Sequence, residues 1–477
     1  MKINQYFITN NDCITIDADD FSLNKIDDYS IYSHKKLKVN SFKNSDNALV
    51  ILGDIFNPAK PDESNVDIGN ALVKEESLDH ILRAIDKLTG RFVIFIKTDS
   101  ICYMVSDFYC QRQVYYWFDD DLFYASSSPK LILDTLNLDL IIDEEKSKLR
   151  TSNYFLKIHE HWLLGETDWD DRLIKLLPNH FLNINKKLTQ RIPIFATRVS
   201  NKSQLEKEFL SILKNSIDAY SKRYDLMQGL TAGHDTRLLM SLSITLKNAF
   251  KYFTFSRDEA YVNRDVAIAK QLASKFSLDH HVIETERLSA KFKSEYETEF
   301  LVPRLLDKTK NIQWFKNSKF KNTAVVSGNG GTRSVYNDDN FKNSTAICKE
   351  IEFDPNALNL KLIDSWLDTA KTYANDNEIS IGYLFYLEMR MGKWGNKMVY
   401  EMDMTNIEEF IPYNNRHLLF SILLNYNEEE HKTITLNLLE QSFEGITKIP
   451  INPKTWKDTL KSIIFYDYYK KWIQKIK

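Results

Sequence analysis

Residues 203–477 alternate short apolar runs with segments of helical period, and this alternation constrains the fold more than any other feature of the chain. The apolar runs are YDLMQGL, AFKYFTF, HHVIE and NTAVVSGNG, and an amphipathic helix precedes them. Ser203 stands three positions before Glu206, which is the spacing of a helix capping box. Strands that alternate with helices are typical of a parallel sheet covered on both faces. We therefore predict an α/β domain here, with a mainly helical region from about residue 360.

Residues 1–185 have a different pattern, in which short β-branched and aromatic runs are separated by Asn, Asp, Gly or Ser. The runs ALVILGDIF, RFVIFIK, ICYMVSD and QVYYWF are typical of strands, and SLDHILRAIDKL is typical of a helix. A chain of 477 residues is too long for a single core. We predict a layered α+β domain over 1–185, with one helix near SLDHILRAIDKL and a mix of helix-like and polar pieces from 136 to about 185, and a linker over 186–202.

One stretch interrupts an apolar run where a predicted strand leads into a helix: MQGLTAGHDTRLLMSL, residues 227–242. Ligands of parallel α/β sheets bind beyond the carboxyl ends of the strands. Gly233 would let the backbone approach a ligand, Thr231 and Thr236 supply hydroxyl groups, and a helix N-terminus favours an anion. Asp235 would repel a phosphate, so it is better suited to hold a divalent cation that bridges phosphates. The stretch predicts a phosphate site, and an N-capped helix after an ordinary turn is the alternative.

The segment LTAGHDTRLL resembles the pyrophosphate loop, Ser-Gly-Gly-x-Asp-Ser, of the asparagine synthetase family, whose members cleave ATP to AMP and diphosphate. The resemblance continues in the family's order through LGDIFNP, LTGRFVIFI, GETDWDDRLIKLLPNHFL, YFTFSRDEAYVNRDVAIAKQLASKFSLDHHVIE, SGNGGTRSVYND and EEFIPYNNRHLL. It implies an N-terminal glutaminase-like domain of the Ntn-hydrolase type and a C-terminal ATP-pyrophosphatase domain of the PP-loop type. It also implies ATP and Mg²⁺ as cofactors, with Asp235 as a metal ligand.

The same resemblance implies which residues contact ATP or its diphosphate. They are Leu230, Thr231, Ala232, Gly233, His234, Asp235, Thr236, Phe255, Ser327, Gly328, Gly330 and Arg333. Ala232 stands where the family has glycine, and a methyl group there is unfavourable if the loop needs a positive φ. Arg333 would meet the phosphate with its guanidinium group, and a surface charge is the alternative.

The first domain departs from the family at its nucleophile. Family members use a cysteine at the mature N-terminus, whereas residues 2–4 here are Lys, Ile and Asn, and the nearest thiol is Cys13. The family's Arg-Gly-Pro-Asp segment has no counterpart between residues 10 and 50. We therefore expect a domain that does not hydrolyse glutamine. β-Lactam synthetase and the lasso-peptide cyclases share this departure, and they attack the adenylate with an amine of a larger substrate.

The second domain departs from the family in SGNGGTRSVYND, residues 327–338. Asn329 stands where the family has a group for proton transfer from the attacking nitrogen, and an amide can orient an amine but cannot act as a base at neutral pH. Thr332 and Arg333 replace the family's metal-binding Asp and the Glu beside it. Because Mg²⁺ needs only one or two carboxylates in addition to phosphates, its binding is still expected, with Asp338 or Asp339 as alternative ligands.

Two later segments contain candidates for the missing catalytic groups. In YLEMRMGKWGNK, Glu388 is a candidate proton acceptor, and an ion pair with a neighbour three or four residues further on is the alternative. Arg390 or Lys393 would contact a carboxylate or a phosphate. The family also has a catalytic lysine after the segment that contains Pro412, where it stabilises the charge of the breaking adenylate. Lys448 and Lys454 are the candidates here, and their spacing does not separate them.

Composition limits the classes of partner. The chain has 63 Lys and Arg residues against 66 Asp and Glu residues, so it has no overall positive field that would hold a nucleic acid. The four cysteines are widely separated and lack metal-binding spacing, which fits a reducing compartment with all four as small buried hydrophobes. Neither a signal peptide nor a membrane span is indicated. We expect a cytoplasmic protein.

These observations lead to one functional hypothesis and two alternatives. The hypothesis is an ATP-dependent carbon–nitrogen ligase that adenylates a small-molecule or peptide carboxylate and joins it to an amine, without glutamine hydrolysis; a homodimer is compatible with it. The first alternative is a non-catalytic binding or scaffold protein that keeps the fold after losing the acids at 329, 332 and 333. The second is a glutamine-dependent asparagine synthetase. The identities of the carboxylate, the amine and the biosynthetic pathway stay open at this stage.

Overall fold

A computed structural model describes most of the chain. The described residues are 3–16, 19–157, 162–246, 250–256, 260–303, 305–331 and 336–453. Thr332, Arg333 and Lys454, which the sequence analysis singled out, lie outside them.

The first domain is built from two antiparallel six-stranded sheets. The first sheet contains β1 (Tyr6–Thr9), β2 (Phe21–Ile26), β3 (Tyr29–His34), β8 (Tyr115–Asp119), β9 (Leu122–Ser126) and β10 (Ile174–Lys175), in the order β10-β8-β9-β1-β3-β2. The second contains β4 (Val39–Lys43), β5 (Asn47–Phe56), β6 (Thr89–Thr98), β7 (Ile101–Ser106), β11 (His180–Asn183) and β12 (Leu188–Arg191), in the order β12-β11-β7-β6-β5-β4.

Helices cover the outer faces of both sheets, which gives four layers. The helices of this domain are α1 (Asn65–Leu72), α2 (Leu78–Ile85), α3 (Pro129–Thr135), α4 (Glu144–Thr151) and α5 (Asn153–Lys157). Along β5, Val50 faces the other sheet, whereas Leu49 and Ile51 face α1 and α2, because successive side chains of a strand point to opposite faces. The expected layered α+β class is confirmed; before residue 136 the sequence analysis predicted one helix, α2, whereas the structure also has α1 and α3 there.

The segment between the two domains is shorter than predicted. β12, which falls within the predicted linker 186–202, pairs with β11 and so belongs to the second sheet. The first helix of the second domain begins at Lys202, and its N-cap is Asn201, whose side chain accepts a hydrogen bond from the backbone N–H of Gln204. The capping-box prediction for Ser203 is therefore wrong.

The second domain is organised around a parallel five-stranded sheet, as predicted. Its strands are β13 (Asp225–Gly229), β14 (Lys251–Ser256), β15 (His280–Glu284), β16 (Thr323–Val326) and β17 (Glu408–Phe410), in the order β15-β14-β13-β16-β17. All four neighbouring pairs are parallel. β17 lies in the region that was expected to be mainly helical, so the sequence analysis missed this edge strand.

Helices pack against both faces of the parallel sheet. They are α6 (Lys202–Ser221), α7 (His234–Ser243), α8 (Ala260–Phe276), α9 (Ala290–Glu299), α10 (Thr309–Asn317), α11 (Ser344–Glu350), α12 (Ala357–Asp376), α13 (Ile381–Phe385), α14 (Asn396–Glu401), α15 (Arg416–Asn425) and α16 (Glu428–Ser442). A π-helical segment, Tyr386–Gly395, joins α13 to α14, and short 3₁₀ turns lie at Asp338–Asn340, Met402–Met404 and Ile446–Lys448. On β13, Leu226 packs into the core with α6 and α7, whereas Met227 packs into the core with α9 and α10.

A buried polar cluster joins the two domains. Arg91 of the first domain forms ion pairs with Asp403 at 3.0 Å and with Glu408 at 3.1 Å, both in the second domain. Arg112 lies 3.5 Å from the same Glu408, which also accepts a hydrogen bond from the side-chain amide of Asn4 at 2.7 Å. Both arginines are 1% exposed. Removing one member of such a cluster leaves an unpaired buried charge, so the cluster fixes how the domains meet.

The segment EEFIPYNNRHLL makes further contacts between the domains. Asn414 donates hydrogen bonds to the carbonyl of Gly90 and to the carboxylate of Asp107, and Arg416 forms an ion pair with Asp86 at 2.6 Å. The segment therefore begins with the edge strand β17 of the parallel sheet and then contacts the first domain.

Two expectations from composition can be compared with the described residues. None of their helices has the length and apolar character needed to span a bilayer. All four cysteines are free; three are buried, but Cys13 is exposed, so the prediction that all four are buried is wrong for Cys13.

Candidate active site

The stretch that interrupts the apolar run forms a tight turn between β13 and α7. The hydroxyl of Thr231 accepts a hydrogen bond from the N–H of Gly233 at 3.1 Å and lies 2.9 Å from the hydroxyl of Thr236. Gly233 is the N-cap of α7, and it has no side chain to accept from the first N–H groups of the helix. The two hydroxyls thus close the turn. Because the N-cap residue is glycine, no side chain at this position caps the start of α7.

Ala232 does not strain this turn. It is fully buried, and the described residues with positive φ do not include it. Its N–H donates to the carboxylate of Asp265 at 2.9 Å, and its carbonyl accepts from the N–H of Asn452 at 3.0 Å. Gly233 has a φ of −73°, so its backbone conformation is open to any residue, and an added Cβ would make a tight contact of 3.2 Å with the Thr231 hydroxyl. The concern about a methyl group at position 232 is therefore removed.

The turn borders a cavity of about 380 Å³ at the carboxyl ends of β13, β14 and β16, which we call the sheet-edge cavity. Eight of the residues proposed for ATP binding or catalysis line it: Thr231, Gly233, Asp235, Thr236, Phe255, Ser327, Gly328 and Asn329. Its volume is within the range of small-molecule sites. The turn and the later SGNG segment, nearly one hundred residues apart in the chain, thus meet around one space.

Glycines allow these two segments to touch. A Cβ added to Gly328 would lie 3.0 Å from the backbone nitrogen of Thr236, and one added to Gly331 would overlap the carboxylate of Asp235. Because glycine has no side chain, Gly328 and Gly331 let the later segment lie directly against residues of the turn.

Gly330 lies behind the cavity instead of lining it. Its φ is +78°, and an added Cβ would overlap the ring of Tyr109 from the first domain. The Tyr109 hydroxyl donates to the Gly330 carbonyl, and the Tyr109 N–H donates to the side chain of Asn414 at 2.8 Å. The first domain thus supports the SGNG segment from outside the cavity.

Two buried carboxylates that sequence reasoning missed also line the sheet-edge cavity: Glu401 and Glu409. Burial raises the pKa of Glu409, against the opposing effects of a hydrogen bond from Ser327 and the charge of Arg91. Burial also raises the pKa of Glu401, whose carboxylate accepts from the Tyr296 hydroxyl at 2.6 Å. No motif marks Glu401, and Glu409 lies in the segment EEFIPYNNRHLL without having been assigned a role, so the fold is what reveals both.

Glu388 does not belong to this cavity, which corrects its assignment as a proton acceptor. It is fully buried, and both of its oxygens are engaged: Arg191 donates to Oε1 at 2.9 Å and to Oε2 at 2.8 Å, and Trp366 donates to Oε2 at 2.8 Å. Burial acts to raise its pKa, but the charges of His180 and Arg191 outweigh burial and hold that pKa below its usual value. An ion pair was the alternative, but its partner comes from β12 rather than from the same helix.

Other candidates are also separated from the sheet-edge cavity. Arg390 donates to the Tyr336 hydroxyl at 3.2 Å, and Lys393 donates to the carbonyl of Thr167 at 3.1 Å. Asp338 accepts from Ser380 and from the N–H of Gly382, so it serves the start of α13. Four further residues lie outside the cavity lining: Leu230, Ala232, His234 and Asp339.

Lys448 is exposed, and it does not line the cavity. The segment that follows Lys448 packs against α7, because Arg237 of this helix donates to the carbonyls of Ile449 and Pro450. The same segment then reaches the turn at 230–236, where the N–H of Asn452 donates to the carbonyl of Ala232. Lys454, the other candidate, follows two positions later and lies outside the described residues.

Among the described residues, no group of three His, Cys, Asp or Glu side chains is placed to hold a metal ion. Asp235 is the carboxylate of the turn, and it lines the sheet-edge cavity; a Mg²⁺ ion that is bound through phosphates usually needs only one or two carboxylates.

Comparison with known proteins assigns no family. No family model and no curated protein matches the chain. Among solved structures, NMN synthetase from Francisella tularensis is 13% identical over 29% of this chain and 58% of that chain, with a TM-score of 0.22. A glutamine phosphoribosylpyrophosphate amidotransferase from B. subtilis, complexed with ADP and GMP, is 9% identical over 68% of this chain and 69% of that chain, with a TM-score of 0.24.

A glutamine-dependent NAD⁺ synthetase from Acinetobacter baumannii, in complex with ADP, is 13% identical over 42% of this chain and 45% of that chain, with a TM-score of 0.19. The chain thus spans about half the length of both synthetase chains. At these TM-scores the likeness assigns no activity, and the fold class stands on the sheets themselves.

Proposed function

We propose that this chain is an ATP-dependent carbon–nitrogen ligase. It would adenylate a small-molecule or peptide carboxylate with release of diphosphate, and then join the acyl group to an amine without hydrolysing glutamine. The observation that carries the proposal is the position of the turn at 230–236, which opens onto a cavity at the carboxyl edge of a parallel sheet. This is where ligands bind in open α/β sheets.

The chemistry of the turn supports a phosphate ligand. The N–H groups at the start of α7 carry partial positive charge, and Gly233 leaves them without a side-chain acceptor at the N-cap. The hydroxyls of Thr231 and Thr236 add donors beside them, and Phe255 supplies an apolar wall. When bound at Asp235, Mg²⁺ would neutralise charge on the triphosphate. The resemblance to the asparagine synthetase family leads to the same proposal for ATP.

The second step requires a group that takes a proton from the attacking amine, and Glu409 is our candidate in place of Glu388. It is buried at the wall of the sheet-edge cavity, and its raised pKa makes its carboxylate a stronger base than an exposed glutamate. Asn329 lines the same cavity, where its amide can orient the amine. In this assignment Lys454 is left as the candidate late lysine.

The proposal that glutamine is not hydrolysed rests on the sequence; in the structure, Ile3 and Asn4 contribute to the contacts between the domains. The N–H of Ile3 donates to the Asp403 carbonyl at 2.7 Å, and the carbonyl of Asn4 accepts from Arg112 at 3.1 Å. These residues serve the buried cluster between the domains, and the exposed Cys13 lies beyond β1.

The test is carboxylate-dependent exchange of labelled diphosphate into ATP, measured over a broad panel of carboxylic acids with Mg²⁺. We expect exchange with at least one acid, and we expect Asp235→Asn to lower it by about a hundredfold or more, since it removes the metal-binding charge. Asp339→Asn, an exposed acid outside the cavity lining, is the control and should leave exchange unchanged. ATP binding without exchange for any acid would favour the scaffold alternative, and no nucleotide binding at all would refute the proposal.

A further inference from the structure

A second cavity, of about 390 Å³, lies between the two domains, and we call it the interdomain cavity. Its walls come from 150–156 and 162–175 in the first domain and from 300–303 and 393–400 in the second. Most of the lining is aromatic or aliphatic. The aromatic side chains include Tyr115, Phe155, Trp162, Trp169, Phe300 and Tyr400.

The charges that line the interdomain cavity are mainly positive. Arg150, Lys175, Lys393 and Lys397 contribute cations, and Asp168 is the single acid among the described lining residues. Lys175 is 3% exposed and Lys393 is 9% exposed, so two of the cations are taken out of bulk water. Burial of a charge is unfavourable unless a partner compensates it.

The partner of Lys175 is missing among the described residues. None of them accepts a hydrogen bond from its Nζ or forms an ion pair with it; its Nζ lies 5.4 Å from the centroid of the Tyr115 ring, and the charge of Asp168 compensates it only in part. Lys393 uses one N–H on the Thr167 carbonyl, which leaves two donors. Burial and repulsion by Lys393 lower the pKa of Lys175 to about 7, and burial lowers the pKa of Lys393 to about 8. An anion between the two lysines would supply the missing compensation.

We propose that the interdomain cavity binds an organic carboxylate with an aromatic or branched apolar body, whose anionic group is held by Lys175 and Lys393. The apolar walls fit the body of such a ligand, and the two ammonium groups fit its charge. The presence of Asp168 beside them favours a singly charged carboxylate over a doubly charged phosphate.

The two cavities share a wall. In α14, Lys397 and Tyr400 line the interdomain cavity, whereas Met398 and Glu401 line the sheet-edge cavity. Lys397 and Glu401 connect the two sides through an ion pair of 3.6 Å. A carboxylate held here lies next to the proposed nucleotide site. The carboxylate site goes beyond the proposed function, because binding of the carboxylate can be measured without ATP. Carboxylate binding and ATP-dependent activity can therefore fail separately.

The experiment is calorimetric titration of the full chain with 3-phenylpropionate, with its neutral amide, 3-phenylpropanamide, as the matched ligand. We expect saturable binding of the acid and binding of the amide that is about tenfold weaker or more, because a charge-assisted hydrogen bond is lost. Quenching of tryptophan fluorescence should accompany binding, since Trp162 and Trp169 line the cavity.

Lys175→Met and Lys393→Met should each weaken binding of the acid by about tenfold or more while leaving binding of the amide unchanged. Lys293→Met, at an exposed position of α9, is the matched control and should bind the acid like the wild type. The folded state should tolerate Lys175→Met, because the change removes a buried charge without a described partner. Melting curves check this for each variant.

The pH dependence separates a direct contact from a structural role. Because the anion favours protonated lysines, we expect affinity for the acid to fall as pH rises above about 7 to 8, and Lys175→Met to flatten this dependence. The other titratable groups whose charges reach the two lysines are Asp168, Glu166, Lys146 and Cys110. The proposal is overturned if the acid does not bind, if acid and amide bind equally, or if both lysine variants bind the acid like the wild type.

Discussion

The two cavities differ in how they are built. The wall of the sheet-edge cavity that is proposed to bind phosphate consists of small residues, hydroxyls and backbone from one strand–helix turn and one later loop, such as Gly233, Thr236 and Gly328. The interdomain cavity depends on long side chains from both domains, such as Lys175 and Lys393. A site of the first kind leaves a local pattern in the sequence. A site of the second kind forms only when the domains meet, so it has no local pattern, and it depends on the domain interface.

Arg91→Met should cause the largest change, a loss of stability, and it tests the buried cluster that joins the two domains. It leaves Asp403 and Glu408 with less compensation in a buried cluster, which should lower the free energy of unfolding by about 3–5 kcal/mol. Urea unfolding measures the change. Lys148→Met, whose side chain is 72% exposed in its ion pair with the exposed Glu144, is the control and should change stability by less than about 1 kcal/mol. Equal effects of the two changes would contradict the role given to the cluster.

Glu409→Gln tests the sheet-edge cavity at the second step of the proposed reaction. Loss of the proton acceptor should lower the rate of amide formation by about a hundredfold, while carboxylate-dependent exchange of diphosphate into ATP stays near the wild-type rate. Both rates are measured with the same acid. Glu444→Gln, at an exposed position, should change neither. A parallel loss of both rates in Glu409→Gln would show a structural role for Glu409 instead.

Gly331→Ala tests whether the turn at 230–236 and the segment 327–331 must lie in direct contact. The added Cβ would overlap the Asp235 carboxylate, so binding of ATP with Mg²⁺ should weaken by about tenfold while binding of 3-phenylpropionate stays unchanged. Gly229→Ala, at another residue that lines the sheet-edge cavity, is the matched control for an added methyl group, because its Cβ would meet only the ring of Phe253 at 3.9 Å. Titration calorimetry measures both ligands, and unchanged ATP affinity in Gly331→Ala would contradict the described contact.

Stability should also depend on pH through Lys175. The pKa of Lys175 is lowered in the folded chain, so between about pH 7 and its ordinary value of 10.5 the unfolded chain binds more protons at this residue. Lys175 should therefore make the wild type gain stability with rising pH across that window, relative to Lys175→Met. Melting temperatures of the two proteins across this range give the difference. Parallel curves would contradict the described burial of an unpaired ammonium group.

The sequence was sufficient to predict features that depend on short segments. Thr231, Gly233, Asp235 and Thr236 stand together in the chain, and the structure places them at a strand–helix turn beside a cavity, as their pattern predicted; the phosphate site itself stays a prediction. The alternation of strands and helices likewise predicted the parallel sheet, whose four longer strands fall in the predicted runs.

Features that depend on distant segments could not be predicted. Glu388 was misassigned because its partner, Arg191, lies 197 positions away, and a π-helical segment changes the spacing on which an ion pair within one helix depends. β17 has three residues, too few for a recognisable period. Glu401 and Glu409 gain their significance only from burial at the cavity wall, which tertiary structure alone determines.

The central claim is that the turn at 230–236 binds the phosphates of ATP. Hydrogen–deuterium exchange of the wild type, with and without ATP and Mg²⁺, tests it most directly. The account predicts that nucleotide slows exchange at 230–236 and at 327–331, the two segments that meet at the sheet-edge cavity, while β2 in the first domain is unaffected. Slowed exchange only at segments outside this cavity, or unchanged exchange throughout, would contradict it.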